Sequence, residues 1–248
     1  MITYGKQPVH YACELVGPVR PSAAAMSKRS LPPSSHTECL IVEGDSAAKS
    51  VDQVRDARQQ AILALQGKPL NAVKASRQTA MRNAIFQRIL ETLLGYRASS
   101  TCGASVLCER LADPAACVYD RLILLMDPDA DGIHCGVLMM AFFRRFAPEL
   151  IRTGRLSVVR PPMFVFRLPD SADLDVGQWP VASSPEHAAA IEQTLREHGV
   201  ERFEKTRHRG LGSLDSSLLG YSSVTPATRR ESSLTLAEID AAIAMFGG

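Results

Sequence analysis

Leu122-Ile123-Leu124-Leu125-Met126, running into Asp127-Pro128-Asp129-Ala130-Asp131-Gly132 and then into a helix-like stretch from Val137 to Phe146, decides the fold. An unbroken apolar run predicts a strand covered on both faces rather than a half-exposed one. A buried strand that ends in a polar turn and continues as a helix is one half of a strand-crossover unit. The same construction stands upstream. There Cys39-Leu40-Ile41-Val42 ends in Glu43-Gly44-Asp45-Ser46, with Asp45 or Ser46 as the candidate cap of the next helix. Ala61-Ile62-Leu63-Ala64-Leu65 ends in Gln66-Gly67-Lys68, and a helical stretch from about Ala75 to Leu94 follows. Downstream, Leu156-Ser157-Val158-Val159 supplies a fourth strand, closed by Pro161 and Pro162 before another short run, Met163 to Leu168. Strands alternating with helices predict an α/β protein built on a doubly wound, Rossmann-like parallel sheet flanked by helices.

Outside this region the pattern loosens. Residues 1–37 carry Lys6, Arg20, Lys28 and Arg29 against Glu14, with five prolines breaking any periodicity, and read as a flexible basic arm. Met26 is a possible internal start. Residues 38–168 form the expected main domain, and residues 169–248 a small α+β appendage. That appendage holds a polar loop around Asp170 to Ser184, a helix from about Pro185 to His198, a basic strand from Phe203 to Arg209 and a tail helix from about Leu236. No internal repeat is present.

A chain of 248 residues that is 46% hydrophobic can bury a substantial core. Its formal charge of +2 neither announces nor excludes a nucleic-acid partner. The six cysteines contain no C-x-x-C pair and no zinc-ligand spacing, which predicts reduced thiols. No apolar run approaches the roughly 18 residues of a membrane span, and no secretory signal opens the chain. A cytoplasmic protein is expected.

In open α/β sheets, functional groups gather at the carboxyl ends of the strands. Here Glu43 ends one strand, and Asp127, Asp129 and Asp131 follow another. Carboxylates brought together repel unless protonated or neutralised, and hard oxygen ligands favour Mg²⁺, with Mn²⁺ or Ca²⁺ as substitutes. The hexapeptide also reads as an ordinary solvated turn. An EF-hand is discounted, because the twelfth loop position is Leu138 where Glu is needed. A phosphate-binding P-loop at 44–50 is discounted too, since Ala48 stands where glycine must precede the lysine. No ATP site is expected in this chain.

Taken together, Ile41-Val42-Glu43-Gly44-Asp45-Ser46-Ala47 and the Asp127/Asp129/Asp131-Gly132-Ile133-His134 segment resemble the TOPRIM domain of type II DNA topoisomerases. The likeness is closest to the C-terminal half of bacterial gyrase and topoisomerase IV B subunits. Gly67-Lys68-Pro69-Leu70-Asn71, Phe142-Phe143-Arg144-Arg145, Pro161-Pro162, Arg209-Gly210-Leu211-Gly212 and Pro226-Ala227-Thr228-Arg229-Arg230 follow in the family's order.

The resemblance implies Mg²⁺-dependent cleavage and religation of double-stranded DNA, in which a gyrase A-like partner supplies the tyrosine nucleophile and a separate chain can supply an ATPase. Nucleoid association in the cytoplasm would follow. Glu43, Asp127 and Asp129 would be catalytic and metal-binding, with Glu43 also a general acid or base and Asp131 a secondary ligand. Lys68 and Asn71 would face DNA, as would Lys205, Arg207 and Arg209; each of these basic residues also reads as a solvated surface charge. Arg229 and Arg230 are weaker DNA-contact candidates, and His134 is expected to support the acidic loop or the helix after it.

Ala48-Lys49 stands where the family has Gly-Gly, and Pro128 stiffens the acidic loop. The short N-terminal arm cannot hold the family's ATPase region. None of Tyr4, Tyr11, Tyr96, Tyr119 and Tyr221 has a context that marks it as a nucleophile. The competing functions are a non-catalytic DNA-binding or interaction protein and, further off, a stand-alone metal-dependent nuclease.

Overall fold

Each apolar run becomes a strand of one sheet. A computed structural model describes residues 15–16, 37–95, 104–168 and 175–246. The expected N-terminal arm therefore lies outside the described residues, apart from β1 (Leu15–Val16) and Thr37. In chain order follow β2 (Glu38–Glu43), α1 (Gly44–Val54), β3 (Gln60–Leu65), α2 (Arg77–Arg82), α3 (Ala84–Leu94) and α4 (Ala104–Leu111). Next come β4 (Arg121–Leu125), α5 (Ala130–Phe146), α6 (Pro148–Arg152), β5 (Leu156–Val159), β6 (Phe164–Arg167), β7 (Val181–Ala182) and α7 (Pro185–Glu197). The last are β8 (Glu204–Arg207), α8 (Ser216–Leu219), β9 (Glu231–Ser233) and α9 (Leu236–Met245).

The main sheet has the order β1-β3-β2-β4-β5-β9 among the described residues. Its inner strands β3, β2, β4 and β5 are parallel, and β1 and β9 close the two edges antiparallel. The apolar runs do not alternate because both faces are covered. One face sends Cys39, Ile41, Leu63, Leu122 and Leu124 against α3, α4 and α5, where Phe86, Phe142 and Phe146 pack with ring centroids 4.8 to 6.1 Å apart. The other sends Leu40, Val42, Ile62, Ile123 and Leu125 against Ala47, Ala48 and Val51 of α1 and against Leu211, Leu214, Leu218 and Leu219.

The helix expected over Ala75 to Leu94 is two helices. Asn83 ends α2 and caps α3, its Oδ1 accepting from the Phe86 N–H at 3.1 Å. A capping side chain competes well with helix continuation, so a helix-length pattern can hide a break. The run Met163 to Leu168 becomes β6, which leaves the main sheet and pairs with β7 and β8 in a second, antiparallel sheet. α7 packs against β7 in this small α+β unit. The C-terminal region also returns to the main layer, through β9 on β5 and α9 on α5. No helix among the described residues is long and apolar enough to cross a membrane.

At the amino ends of the parallel strands lies a buried ion-pair network. Arg229, with no side-chain exposure, grips both Glu38 oxygens at 2.6 and 2.8 Å and also bonds Glu231 and the Val224 carbonyl. The Gln60 amide joins Glu38 at 2.8 Å, and Arg121 pairs with Glu231. This corrects the reading of Arg229 as a DNA contact: its guanidinium is fully spent inside the fold, while Arg230 is exposed.

Candidate metal centre

β3, β2 and β4 are neighbours, so their carboxyl ends bring three segments together: the Lys68 loop, Glu43 and the acidic loop. Glu43 is the last residue of β2, one beyond Val42, which faces Leu125 of β4. Asp127 and Asp129 lie in the connection from β4 to α5. That helix begins at Ala130, earlier than the sequence pattern indicates, because Asp129 caps it: its Oδ1 accepts from the Gly132 N–H at 2.9 Å. Asp131 thereby falls in the first helical turn. Neither Asp45 nor Ser46 caps α1; its cap position is Glu43, which makes no side-chain cap bond, and Asp45 bonds Gln66 instead.

Asp127 is held from two sides. Its Oδ1 accepts from the Leu211 N–H at 2.9 Å, and the Gly210 backbone passes so close that an added Cβ would lie 2.8 Å from Oδ2. On the other side, a Cβ on Gly132 would lie 2.2 Å from the Asp127 carbonyl oxygen. Only glycine admits the approach at position 132, where the obstacle is backbone, whereas at position 210 a Cβ would have to push the Asp127 carboxylate aside. Gly210 and Leu211 were legible as a motif but not as supports for Asp127, since nothing local links positions 84 residues apart.

Lys68 meets Asp131 at 2.9 Å and lies 3.4 Å from Nδ1 of His134, whose ring stacks on Phe246. Its loop is anchored: Pro69 is buried, Leu70 packs on the core, and Arg145 binds the carbonyls of Ala72 and Ala75. The Asn71 Oδ1 accepts from the Val73 and Lys74 N–H groups at 2.9 and 3.3 Å, shaping its own turn. Arg209 is exposed beside Gly210. Lys205 instead pairs with Glu192 at 2.5 Å and covers the Phe164 ring, which Arg207 also approaches. Glu43, Asp127, Asp129, Asp131 and Lys68 thus stand at the same end of the sheet within electrostatic reach of one another, while Lys205 and Arg207 contact the small unit rather than the acids.

The electrostatics follow from this placement. Burial pushes the Glu43 carboxyl up, Asp127, Asp129 and Asp131 push it further, and Lys68 pulls it back. Asp127 is likewise raised, by burial first and then by Asp129, against the opposing Leu211 N–H. Asp131 goes down because Lys68 bonds and neutralises it. The nearby Cys135 thiol is pushed up to about 12, mainly by burial, so it is an inert packing group.

The donor set can be weighed against a divalent cation. Among the described residues no three His, Cys, Asp or Glu side chains form a ready-made cage. Oε2 of Glu43, however, is buried with no hydrogen-bond partner, and a desolvated carboxylate oxygen without a donor calls for a cation or a proton. Mg²⁺ keeps several waters and is commonly held by one or two carboxylates, so an all-oxygen, partly open set fits it.

A model of the Toprim domain matches residues 38–161. The B subunit of DNA gyrase from Treponema denticola is 31% identical over 199 residues, 80% of this chain and 28% of that protein. The B subunit of DNA topoisomerase 4 from Enterococcus faecalis is 31% identical over 193 residues, 77% and 25% of the two chains. Its counterpart in Caulobacter vibrioides is 34% identical over 199 residues, 80% and 26%. The aligned region spans only about a quarter of the length of these relatives.

Proposed function

Because the chain belongs to the Toprim domain family, we propose that it forms the metal-binding half of a type II topoisomerase centre, cleaving and rejoining double-stranded DNA with a tyrosine-bearing partner. The observation that carries this reading is the buried, unpartnered Oε2 of Glu43 in the field of Asp127, Asp129 and Asp131. Similarity to gyrase and topoisomerase IV B subunits supports it.

In this reading Glu43 and Asp127 hold Mg²⁺, with Asp129 and Asp131 completing its surroundings. Bound there, a divalent ion would neutralise charge on the phosphate oxygens in the transition state. In the cleavage step the tyrosine hydroxyl loses its proton to a base or water, a tyrosine oxygen–phosphorus bond forms, the deoxyribose oxygen–phosphorus bond breaks, and the freed oxygen takes a proton; religation reverses this. Glu43, held toward its protonated form by burial and by its acidic neighbours, can give up or accept that proton at Oε2. Asp127 stays fixed through the Leu211 N–H, and Lys68 and Arg209 line the approach of the DNA backbone. The nucleophile comes from the partner. Of the two tyrosines among the described residues, Tyr119 is buried in the core, and Tyr221 is exposed and packs against Gly177.

The test is Mg²⁺-dependent formation of a covalent DNA–protein adduct by this chain mixed with a cognate tyrosine-bearing chain. Asp127→Ala and Glu43→Ala are expected to abolish it. The lack of three converging acids among the described residues favours a second reading, a DNA-binding module without catalysis. That reading predicts no adduct, and DNA binding indifferent to both substitutions.

A further inference from the structure

The ion pair of Lys68 with Asp131 sits on the rim of the acidic cluster, with the Asp131 side chain largely open to water and that of Lys68 nearly half so. Their backbones are fixed independently. Lys68 rides on the loop anchored by Pro69, Leu70 and Arg145, and Asp131 stands in a helical turn capped by Asp129. Opening the pair therefore needs only side-chain rotation. Lys68 also acts on Glu43 through its charge, so one ammonium serves as a built-in counter-ion for two members of the cluster. Two outside ligands compete for this pair: a divalent cation draws Asp131, and an anionic phosphodiester draws Lys68.

Building on the metal and DNA reading above, we propose that Lys68 is a positioning residue that couples the two. It keeps Asp131 engaged until a DNA phosphate takes the ammonium, and Asp131 is then released to the cation. DNA thus raises the affinity for Mg²⁺, and by linkage Mg²⁺ raises the affinity for DNA by the same factor. Exposed ion pairs are weak, which suits a contact that must open, and sets the expected effect at about two- to fivefold in affinity.

Mg²⁺ titration calorimetry on the full chain, with and without a short DNA duplex, tests this. In the wild type the duplex is expected to tighten Mg²⁺ binding. Lys68→Gln should tighten it about two- to fivefold without DNA and remove the further gain from DNA. In an Asp131→Asn background, Lys68→Gln should change Mg²⁺ affinity less than it does in the wild type, because the contact with Asp131 is already gone and only the charge acting on Glu43 is removed. An equal effect of Lys68→Gln in both backgrounds would mean simple charge repulsion and overturns the exchange. So does a DNA-dependent gain that survives Lys68→Gln. Asp127→Asn separates this failure from failure of the underlying reading: Mg²⁺ affinity untouched by Asp127→Asn places the ion elsewhere, and both ideas fall.

Discussion

Glu43 carries the sharpest residue-scale consequence. A carboxyl whose folded-state pKa lies above its unfolded value binds its proton more tightly when folded. It therefore costs stability above the folded pKa, and the cost fades as pH falls through that value toward the ordinary 4.5. Asp127 adds to the same trend, whereas Asp131 opposes it only in the more acid range below its ordinary 3.8. Without added metal, thermal melts followed from neutral pH down to the ordinary 4.5 should show this site becoming less costly, and Glu43→Gln should flatten that dependence. The same substitution should raise metal-free stability at neutral pH by no more than about 1 kcal/mol, since much of the group is screened by solvent. At Gly210 the constraint is steric. Gly210→Ala puts a Cβ against Asp127 and disturbs the neighbouring Leu211 bond. A loss of about 1–3 kcal/mol by chemical denaturation is expected, with weakened Mg²⁺ binding. If Gly210→Ala keeps wild-type Mg²⁺ affinity, the turn does not position Asp127.

The elements differ in how far their sequence reveals them. β2, β3, β4 and β5 were legible because a strand buried on both faces must be continuously apolar, and Glu43 and Asp127 were legible because they end such strands. The polar edge strand β9 was not: Glu231-Ser232-Ser233 gains its place from pairing with β5 and from Glu231's bond to Arg229, neither of which is a local signal. The start of α5 was hidden for a related reason, since Asp127 to Gly132 reads as a turn until the Asp129 cap is seen. Glu38, Gln60 and Arg121, polar heads on apolar strands, make sense only beside Arg229. Removing one member of a buried pair strands the other charge, so Arg229→Ala should destabilise the chain by about 3–5 kcal/mol. Arg230→Ala, on the neighbouring exposed position, should leave denaturation unchanged. Equal effects of the two would show that the network contributes little.

On the scale of the whole molecule, the residues beyond 161 are structural partners of the Toprim layer as well as its continuation. Leu211, Leu214, Leu218 and Leu219 cover the sheet face carrying Leu40, Val42, Ile123 and Leu125, while Arg229 neutralises Glu38 at the opposite end from the acids. The Leu211 N–H reaches Asp127 from the same turn whose side chain packs in that core. A single short turn thus belongs to both the C-terminal segment and the acidic site, and folding of the one is expected to shape the other. A piece ending at residue 161 would expose that apolar face, orphan Glu38 and free Asp127 of its donor. It is expected to lose cooperative thermal unfolding and near-ultraviolet circular dichroism, and a separately produced piece from residue 162 onward should restore both on mixing. A piece ending at 161 that melts as sharply as the full chain would show that the layer stands alone, and that the C-terminal residues touch the site without building it.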